Sequence, residues 1–137
     1  DMKLLLYTLI SLTSLFPTEN YINPAKIRYG TIVDYEKQGG DIALVDSKKV
    51  YVKISEYQTI KKEGIQPGTA RYSQLMTACT KKFRIAVTKT AKLYNYALVV
   101  EEGGVSKEHQ TISITDKVIQ QLSNKEIKKH ELLFHTL

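Results

Sequence analysis

Two short apolar runs, separated by a long stretch of helical periodicity, dominate the pattern of hydrophobic and polar positions. The first run covers residues 42–45 and the second covers residues 96–100. Short continuous apolar runs are typical of strands that are buried on both faces of a sheet. We therefore predict that these two distant segments lie side by side in one sheet and that helices connect them.

The connecting stretch, residues 47–95, has the pattern of two helices with a sharp break between them. Asp46-Ser47 is a pair of residue types that cap helix N-termini, so the first helix is predicted over residues 47–63, although alternating β-branched residues there also suit a strand. Two glycines and a proline in residues 64–68 predict the break. Thr69 then stands where it can cap a second helix of about 26 residues, close to 40 Å long.

This second helix is predicted to be amphipathic. Its apolar residues recur at the three-and-four spacing of one helix face, and most of its lysines and arginines lie off that face. The apolar positions are Tyr72, Leu75, Met76, Cys79, Phe83, Ala86, Val87 and Tyr94. Packing against a core or a partner helix is the simplest explanation of such a stripe, and a ligand groove is the alternative.

Residues 1–20 and 21–40 precede this central unit. The first segment carries a mostly apolar run after Met2-Lys3, which fits a secretory signal. The run is shorter than the roughly 20 residues of a membrane-spanning helix, which favours the signal. An uncleaved membrane anchor and an amphipathic helix packed on the domain are the alternatives. The second segment is an N-terminal extension, in which β-rich residues 27–35 predict a strand and Gly39-Gly40 predicts a turn.

The chain after the second apolar run predicts a turn, a strand and a helix. Gly103-Gly104 marks the turn, and Ile112 and Ile114 alternate with polar residues as in a last strand. Thr115 is predicted to cap a C-terminal helix, and residues 124–137 form a charged tail. The predicted fold class is therefore α+β: a small β-sheet core with a projecting basic two-helix hairpin and a C-terminal helix.

The net charge of +6 over 137 residues is concentrated in the hairpin. Residues 47–95 hold eleven lysines or arginines against two glutamates, whereas residues 1–46 hold four basic and six acidic side chains. A positive surface of this kind attracts acidic proteins, anionic membrane surfaces or nucleic acid, and a solvated helix face is the plain alternative. Nucleic acid is the least favoured partner, because the sequence lacks the zinc spacing, recognition helix or RNA-binding sheet signature of such proteins.

The sequence contains no arrangement of residues that predicts catalysis. The single cysteine, Cys79, lies on the apolar helix stripe and is interpreted as a small core residue. The glycine-rich segments at residues 64–68 and 103–104 lack the lysine and hydroxyl residue of a phosphate-binding loop. The histidines do not combine with acidic residues at metal-ligand spacing; they are His109, His130 and His135. We therefore expect no enzyme activity, no cofactor and no metal.

Two further polar positions are given structural interpretations. Ser47 stands beside Asp46 at a predicted helix start, and it lacks the flanking glycines of a nucleophile elbow. It is interpreted as part of a helix cap. Glu101-Glu102 follows a strand and precedes two glycines, so it is interpreted as a solvated turn.

The motifs that bound the central unit resemble those of the OmpH/Skp family of periplasmic chaperones. In that family a strand ends in Val-Asp-Ser, and a helix follows that opens with Lys-Val and continues to Glu-Tyr. The matching residues here are Val45-Asp46-Ser47, Lys49-Val50 and Glu56-Tyr57. The closing motifs are a tyrosine-led strand, a Gly-Val turn and an Ile-Thr-Asp helix start, found at residues 96–100, 104–105 and 114–116. The resemblance covers roughly residues 41–123.

This resemblance implies a non-catalytic periplasmic protein that holds unfolded or envelope-protein clients, with helical hairpins extending from an oligomeric β-core. Basic side chains of the hairpin would attract acidic or membrane-proximal clients, and apolar side chains would supply hydrophobic contact. The candidate client- or partner-binding residues are Lys61, Lys62, Arg71, Tyr72, Met76, Lys81, Lys82, Phe83 and Arg84.

Because its hairpin is short, the chain also resembles a second family, the F-type conjugation proteins called TrbI. These small envelope proteins have an N-terminal membrane segment, one strand, two helices, an apolar strand and a short closing helix. This second resemblance implies an accessory subunit of a type IV secretion apparatus, whose apolar stripe is buried against another subunit. Both resemblances imply a protein that is periplasmic, or anchored in the inner membrane and facing the periplasm; its oligomeric state is left open.

Overall fold

The protein's structure, a computed structural model, describes residues 21–123. The predicted signal-like or anchor segment at residues 1–20 and the predicted tail at residues 124–137 lie outside the described residues. The fold is α+β, as predicted, with a four-stranded mixed sheet and five α-helices in the described part. No helix within residues 21–123 is both long enough and apolar enough to cross a membrane.

The sheet has the strand order β1-β3-β2-β4. Its strands are β1 (Ile27–Tyr29), β2 (Asp41–Val45), β3 (Tyr96–Glu101) and β4 (Thr111–Ser113). Strands β2 and β3 run parallel at the centre, with Ala43 opposite Val99 and Leu44 opposite Val100. The two apolar runs therefore lie side by side, and this confirms the central prediction. Strand β1 pairs antiparallel with β3, and β4 pairs parallel with β2.

Both faces of the central strands are covered, which is why their sequences are continuously apolar. On one face Ala43, Val45 and Val99 belong to the larger core cluster, which also contains the helices of the hairpin. On the other face Ile42 and Leu98 pack with residues of the N-terminal extension. The extension therefore covers one side of the sheet and contributes an edge strand to it.

Three helices make the connection between β2 and β3: α2 (Ser47–Tyr51), α3 (Ser55–Glu63) and α4 (Ala70–Tyr94). The first helix was predicted as one element over residues 47–63, and the structure divides it in two. Ile54 adopts an extended backbone conformation and its side chain is buried in the core. Burial of this β-branched residue, beside the buried Val50, turns the chain and interrupts the helix.

The break and the second helix follow the predicted pattern. Gly64 ends α3 in the left-handed conformation, with φ of 61°, which glycine adopts without strain. The side chain of Thr69 accepts a hydrogen bond from the amide of Tyr72 and so caps α4. This helix has 25 residues and ends at Asn95, which is also left-handed with φ of 57°. Asparagine is a common substitute for glycine at that position.

Helix α4 packs on the sheet over its second half and projects over its first. Its buried residues are Cys79, Phe83, Ala86, Val87, Thr90 and Ala91. Before Cys79 no residue of α4 is buried, and in α3 the buried residue is Ile60. The projecting part of the hairpin is therefore short, and it consists of α3 and the first half of α4. Cys79 is a core residue, as predicted.

The predicted strand over residues 27–35 is wrong beyond Tyr29. Gly30 has φ of 83° and turns the chain, and Thr31 caps helix α1 (Ile32–Gln38) by accepting a hydrogen bond from the amide of Asp34. A side-chain cap of this kind outweighs the weak strand preference of the two β-branched residues that follow it.

The C-terminal strand and helix were predicted correctly in kind. Residues 115–123 are helical and are labelled α5. Thr115 was predicted to cap this helix, but its hydroxyl instead accepts a hydrogen bond from the amide of Asp46, at 3.0 Å. Thr115 is the first residue of the helix, and Ile114 holds the cap position, since its carbonyl accepts a hydrogen bond from the Val118 amide at 3.0 Å.

Candidate binding groove on the helical hairpin

A shallow groove of about 450 Å³ runs along one flank of α4. Its lining residues are Met76, Thr77, Thr80, Lys81, Arg84 and Ile85. The side chains of Met76 and Ile85 are half-buried and supply apolar surface, while Lys81 and Arg84 are exposed and supply positive charge. We call this surface the α4 groove. It combines hydrophobic contact with electrostatic attraction in one place.

Helical periodicity places these six residues together. Met76, Thr80 and Arg84 form one row at a spacing of four residues, and the neighbouring row consists of the residues that follow each of them. Side chains four residues apart lie above one another on a helix surface. The buried residues Cys79, Phe83 and Val87 define the face that contacts the core, so the α4 groove lies beside the core-facing stripe rather than on it.

The two glutamates of the hairpin join α3 to α4. Glu56 Oε1 lies 2.7 Å from Lys82 Nζ, and Glu63 Oε2 lies 2.6 Å from Arg71 Nη2. Residues 47–95 contain no other acidic residue. Within residues 21–123, the ion pairs that form leave out Lys81 and Arg84. The positive charge at the α4 groove is therefore not neutralised by the described part of the chain.

The pKa of Glu56 reflects its place between the two helices. Partial burial by itself would raise that pKa, but hydrogen bonds from Lys82, from a backbone amide and from the Ser55 hydroxyl lower it below its ordinary value, together with the positive charge of Lys82. The charged form of Glu56 is the one that these groups favour. The Glu56–Lys82 contact is therefore a preferred state of the folded hairpin at neutral pH.

The structure brings some of the predicted binding residues together and separates others. Met76, Lys81 and Arg84 meet in the α4 groove. Arg71 and Lys82 are engaged by the glutamates of α3, so their role includes fixing the hairpin. Three more of the predicted residues lie on the projecting part outside the groove: Lys61, Lys62 and Tyr72. Lys61 Nζ is 5.4 Å from the centre of the Tyr57 ring.

Phe83 was predicted to contact a client, and the structure places it in the core instead. Its side chain is only 4% exposed. Its ring packs edge-on against Tyr51, with the ring centres 5.2 Å apart. The residue lies at the centre of the apolar stripe, where α4 meets the rest of the core, and a partner could reach it only if the core opened. We therefore remove Phe83 from the set of binding residues.

Thr77, Thr80 and Ile85 line the α4 groove but were missed at the sequence level. Their signal was the double row at four-residue spacing, which becomes visible only when the core-facing stripe is known. The Thr80 hydroxyl lies 3.3 Å from that of Tyr51, so part of the groove floor is held by a residue of α2.

Glu101 was interpreted as a residue of a solvated turn, and this is wrong. Its side chain is 12% exposed, and Oε1 accepts hydrogen bonds from both the amide and the hydroxyl of Ser47. The other oxygen lies 3.4 Å from Arg28 Nε. Asp46 supplies the cap of α2, since its side chain accepts from the amides of Lys48 and Lys49. Ser47 is therefore a structural hydrogen-bond donor in this arrangement.

Two other kinds of site, a metal site and a reactive thiol, concern the described part of the chain. Among residues 21–123, no group of three histidine, cysteine, aspartate or glutamate side chains is arranged to hold a metal ion. Burial raises the pKa of the Cys79 thiol, and the charge of Glu56 adds to that effect. A thiol with a raised pKa is a poor nucleophile at neutral pH.

Comparison of the chain with protein-family models, with curated proteins and with solved structures finds no match. The two family resemblances therefore rest on the sequence alone.

Proposed function

We propose that this chain is a non-catalytic protein of the bacterial periplasm that holds unfolded or envelope-protein clients on its helical hairpin, as the OmpH/Skp family does. The observation that carries this proposal is the α4 groove, in which half-buried Met76 and Ile85 lie beside the exposed cations Lys81 and Arg84. The sequence resemblance supplies the chaperone class and the compartment.

The chemistry of the α4 groove suits a protein with varied partners. Methionine has a flexible thioether side chain that adapts to apolar surfaces of different shape. The positive charge attracts acidic segments over distances longer than a contact, which raises the rate of encounter. The groove is shallow and open, so a client segment would be held loosely and could be released.

A test of this proposal measures aggregation of an acidic outer-membrane protein after dilution from urea. We expect the chain to suppress light scattering at near-stoichiometric ratios, and we expect the variant Lys81→Glu/Arg84→Glu to lose most of that suppression. The matched control is Lys89→Glu/Lys92→Glu, which makes the same change in charge on exposed positions of α4 outside the groove. Absence of suppression at a large molar excess, or equal loss in both variants, would contradict the proposal.

The short projection of the hairpin favours a second function. Because α4 is packed into the core from Cys79 onward, little of the hairpin is free to enclose a client. A short basic projection suits docking on one fixed subunit, as in a TrbI-like accessory protein of a type IV secretion apparatus.

A photo-crosslinking amino acid at Thr77, in the groove, distinguishes the two functions in cells. A single adduct of constant size indicates a fixed subunit, and a broad range of adduct sizes indicates chaperone clients. The control position is Lys89, which is exposed on the same helix outside the groove. Equal crosslinking from both positions would contradict both functions as assigned to the α4 groove.

A further inference from the structure

A second cavity, of about 490 Å³, lies where β1 and α1 meet the start of β3. Three tyrosines line it, together with a carboxylate and two carboxamides. These residues are Tyr29, Tyr35, Tyr96, Asp34, Gln38 and Asn95. We call it the tyrosine cleft. Its volume is in the range of pockets that bind small molecules. The hairpin contributes one residue to its lining, Asn95, which directly follows α4.

The walls of the tyrosine cleft are held in place by close backbone approaches. A Cβ atom at Gly30 would lie 2.2 Å from the carbonyl oxygen of Ala97, and one at Gly40 would lie 2.8 Å from the Cβ of Ala97. The loops on both sides of α1 therefore press directly against β3. Because these contacts fix α1 relative to the sheet, the cleft is formed before any ligand binds, which lowers the entropy cost of binding.

The three tyrosine rings are anchored as well. Tyr96 is 7% exposed, and its hydroxyl accepts a hydrogen bond from Lys117 Nζ at 3.1 Å. Tyr29 packs against the larger core cluster, and Tyr35 packs against the smaller cluster on the other face of the sheet. The Tyr96 ring also stacks on Tyr94, with the ring centres 6.0 Å apart, so Tyr96 forms a buried part of the wall. Tyr29 and Tyr35 are only half-buried and supply the accessible aromatic surface. Rigid aromatic surfaces of this kind bind ligands with little loss of side-chain entropy.

The charged and polar groups in and beside the tyrosine cleft favour a ligand without net charge. Within residues 21–123 its lining contains no lysine, arginine or histidine, so phosphate and carboxylate ligands would find no countercharge. A cationic ligand is disfavoured by Lys117, whose Nζ lies 3.1 Å from the Tyr96 hydroxyl and 4.2 Å from the centre of the Tyr94 ring. The side chains of Asp34, Gln38 and Asn95 are exposed at the cleft and offer both acceptors and donors.

We propose that the tyrosine cleft is a binding site for a neutral saccharide. Sugar hydroxyl groups both donate and accept hydrogen bonds, which matches a carboxylate beside two carboxamides. The C–H face of a sugar ring is apolar and packs on an aromatic ring, while the hydroxyl groups at the edge of the sugar stay polar. Tyrosine suits both parts, because its ring is apolar and its hydroxyl group forms hydrogen bonds. This site is separate in residues and chemistry from the α4 groove.

The test uses the isotopically labelled full chain and three neutral probes, maltotriose, cellotriose and N,N′,N″-triacetylchitotriose, with binding followed by amide NMR shifts. We expect at least one of them to produce saturable shifts confined to the residues of the cleft. The variant Gln38→Ala/Asn95→Gly removes both carboxamides, and glycine keeps the left-handed backbone that Asn95 adopts. We expect this variant to weaken binding by about 25-fold, since each of the two lost hydrogen bonds contributes about fivefold.

The matched control is Glu36→Ala/Lys37→Ala, which alters two exposed residues of α1 outside the cleft lining. It should bind the saccharide as the unaltered chain does, with an unchanged melting temperature in both variants. The proposal is overturned if none of the three probes shifts cleft resonances up to its solubility limit, if the control variant loses affinity equally, or if inorganic phosphate or choline produces the same shifts as the saccharide.

Discussion

The carboxylate of Glu101 and the first residue of α2, Ser47, are joined by two hydrogen bonds on the same oxygen. The Ser47 amide donates at 2.8 Å and the hydroxyl donates at 2.9 Å. Glu101 ends β3 and Ser47 follows β2, so this contact links the two parallel strands at the edge where the hairpin begins. It holds the first turn of α2 against the end of β3.

Replacement of Glu101 should therefore destabilise the fold. We expect Glu101→Ala to lower the free energy of unfolding by about 2 kcal/mol, because a charge-assisted acceptor is lost and a partly buried Ser47 donor is left without a partner. Urea unfolding followed by circular dichroism measures this. The control is Glu102→Ala at an exposed neighbouring position, which should change stability by less than about 0.5 kcal/mol. Equal effects of the two substitutions would contradict the assigned role.

The Glu56–Lys82 pair should make hairpin stability depend on pH. The folded-state pKa of Glu56 is lowered, so its contribution is present above the pKa of the unfolded chain and is lost as the pH falls through the folded-state value. We expect Glu56→Gln to cost about 0.5 kcal/mol at neutral pH, because both side chains are partly exposed to solvent, and to cost nothing at low pH. Unfolding at several pH values measures the difference.

The second ion pair of the hairpin provides the control for this experiment. Glu63 and Arg71 are more exposed than the first pair, and screening by water weakens such contacts. We expect Glu63→Gln to have no measurable effect at any pH. A pH-independent cost of Glu56→Gln would mean that the carboxylate acts through packing and not through its charge.

Substitution of Phe83 should mainly lower the free energy of unfolding, whereas substitution of Met76 should mainly weaken client binding. We expect Phe83→Ala to cost about 3–5 kcal/mol, as large cavities in cores do, whereas Met76→Ala should cost less than about 1 kcal/mol, because Met76 is half-buried on the projecting part. Met76→Ala should nevertheless weaken suppression of client aggregation. Phe83→Leu, which leaves a smaller cavity, should keep that suppression; a loss in the folded Phe83→Leu variant would return Phe83 to the binding surface.

Gly30 should tolerate no side chain. Its φ is 83°, and an added Cβ would lie 2.2 Å from the backbone oxygen of Ala97. We expect Gly30→Ala to cost about 3 kcal/mol or more, from strain and displacement of β3 together. Gly64→Ala is the control, since that glycine is also left-handed but has open space around it; it should cost about 1 kcal/mol. Thermal unfolding of both variants separates the steric effect from the conformational one.

The parts of the fold that the sequence predicted were those determined locally or by burial alone. The apolar runs at residues 42–45 and 96–100 had to be buried on both faces, and only neighbouring positions in one sheet achieve that. The break at Gly64 and the cap at Thr69 depend on residues within a few positions of each other. These features were therefore readable without knowledge of the tertiary structure.

The features that were missed depend on residues far apart in the chain. Ile54 interrupts the first helix because its side chain is needed in the core, and helical periodicity does not report that demand. Glu101 has its partner 54 residues away, so its neighbours in sequence suggested only a turn. The α4 groove was half predicted: Met76, Lys81 and Arg84 were named, but Thr80 joined them only once the core-facing side of α4 was known.

The open space around Gly64 and Gly68 at the end of the hairpin has a consequence for how this architecture can vary. Because an added side chain would meet no atom of residues 21–123 there, whole helical turns could be inserted at this tip without altering any pairing of β2 with β3. The entropy cost of closing a longer connection grows only logarithmically with its length. The length of the hairpin and the stability of the core are therefore independent in this protein, and a variant with a longer hairpin could keep the same sheet.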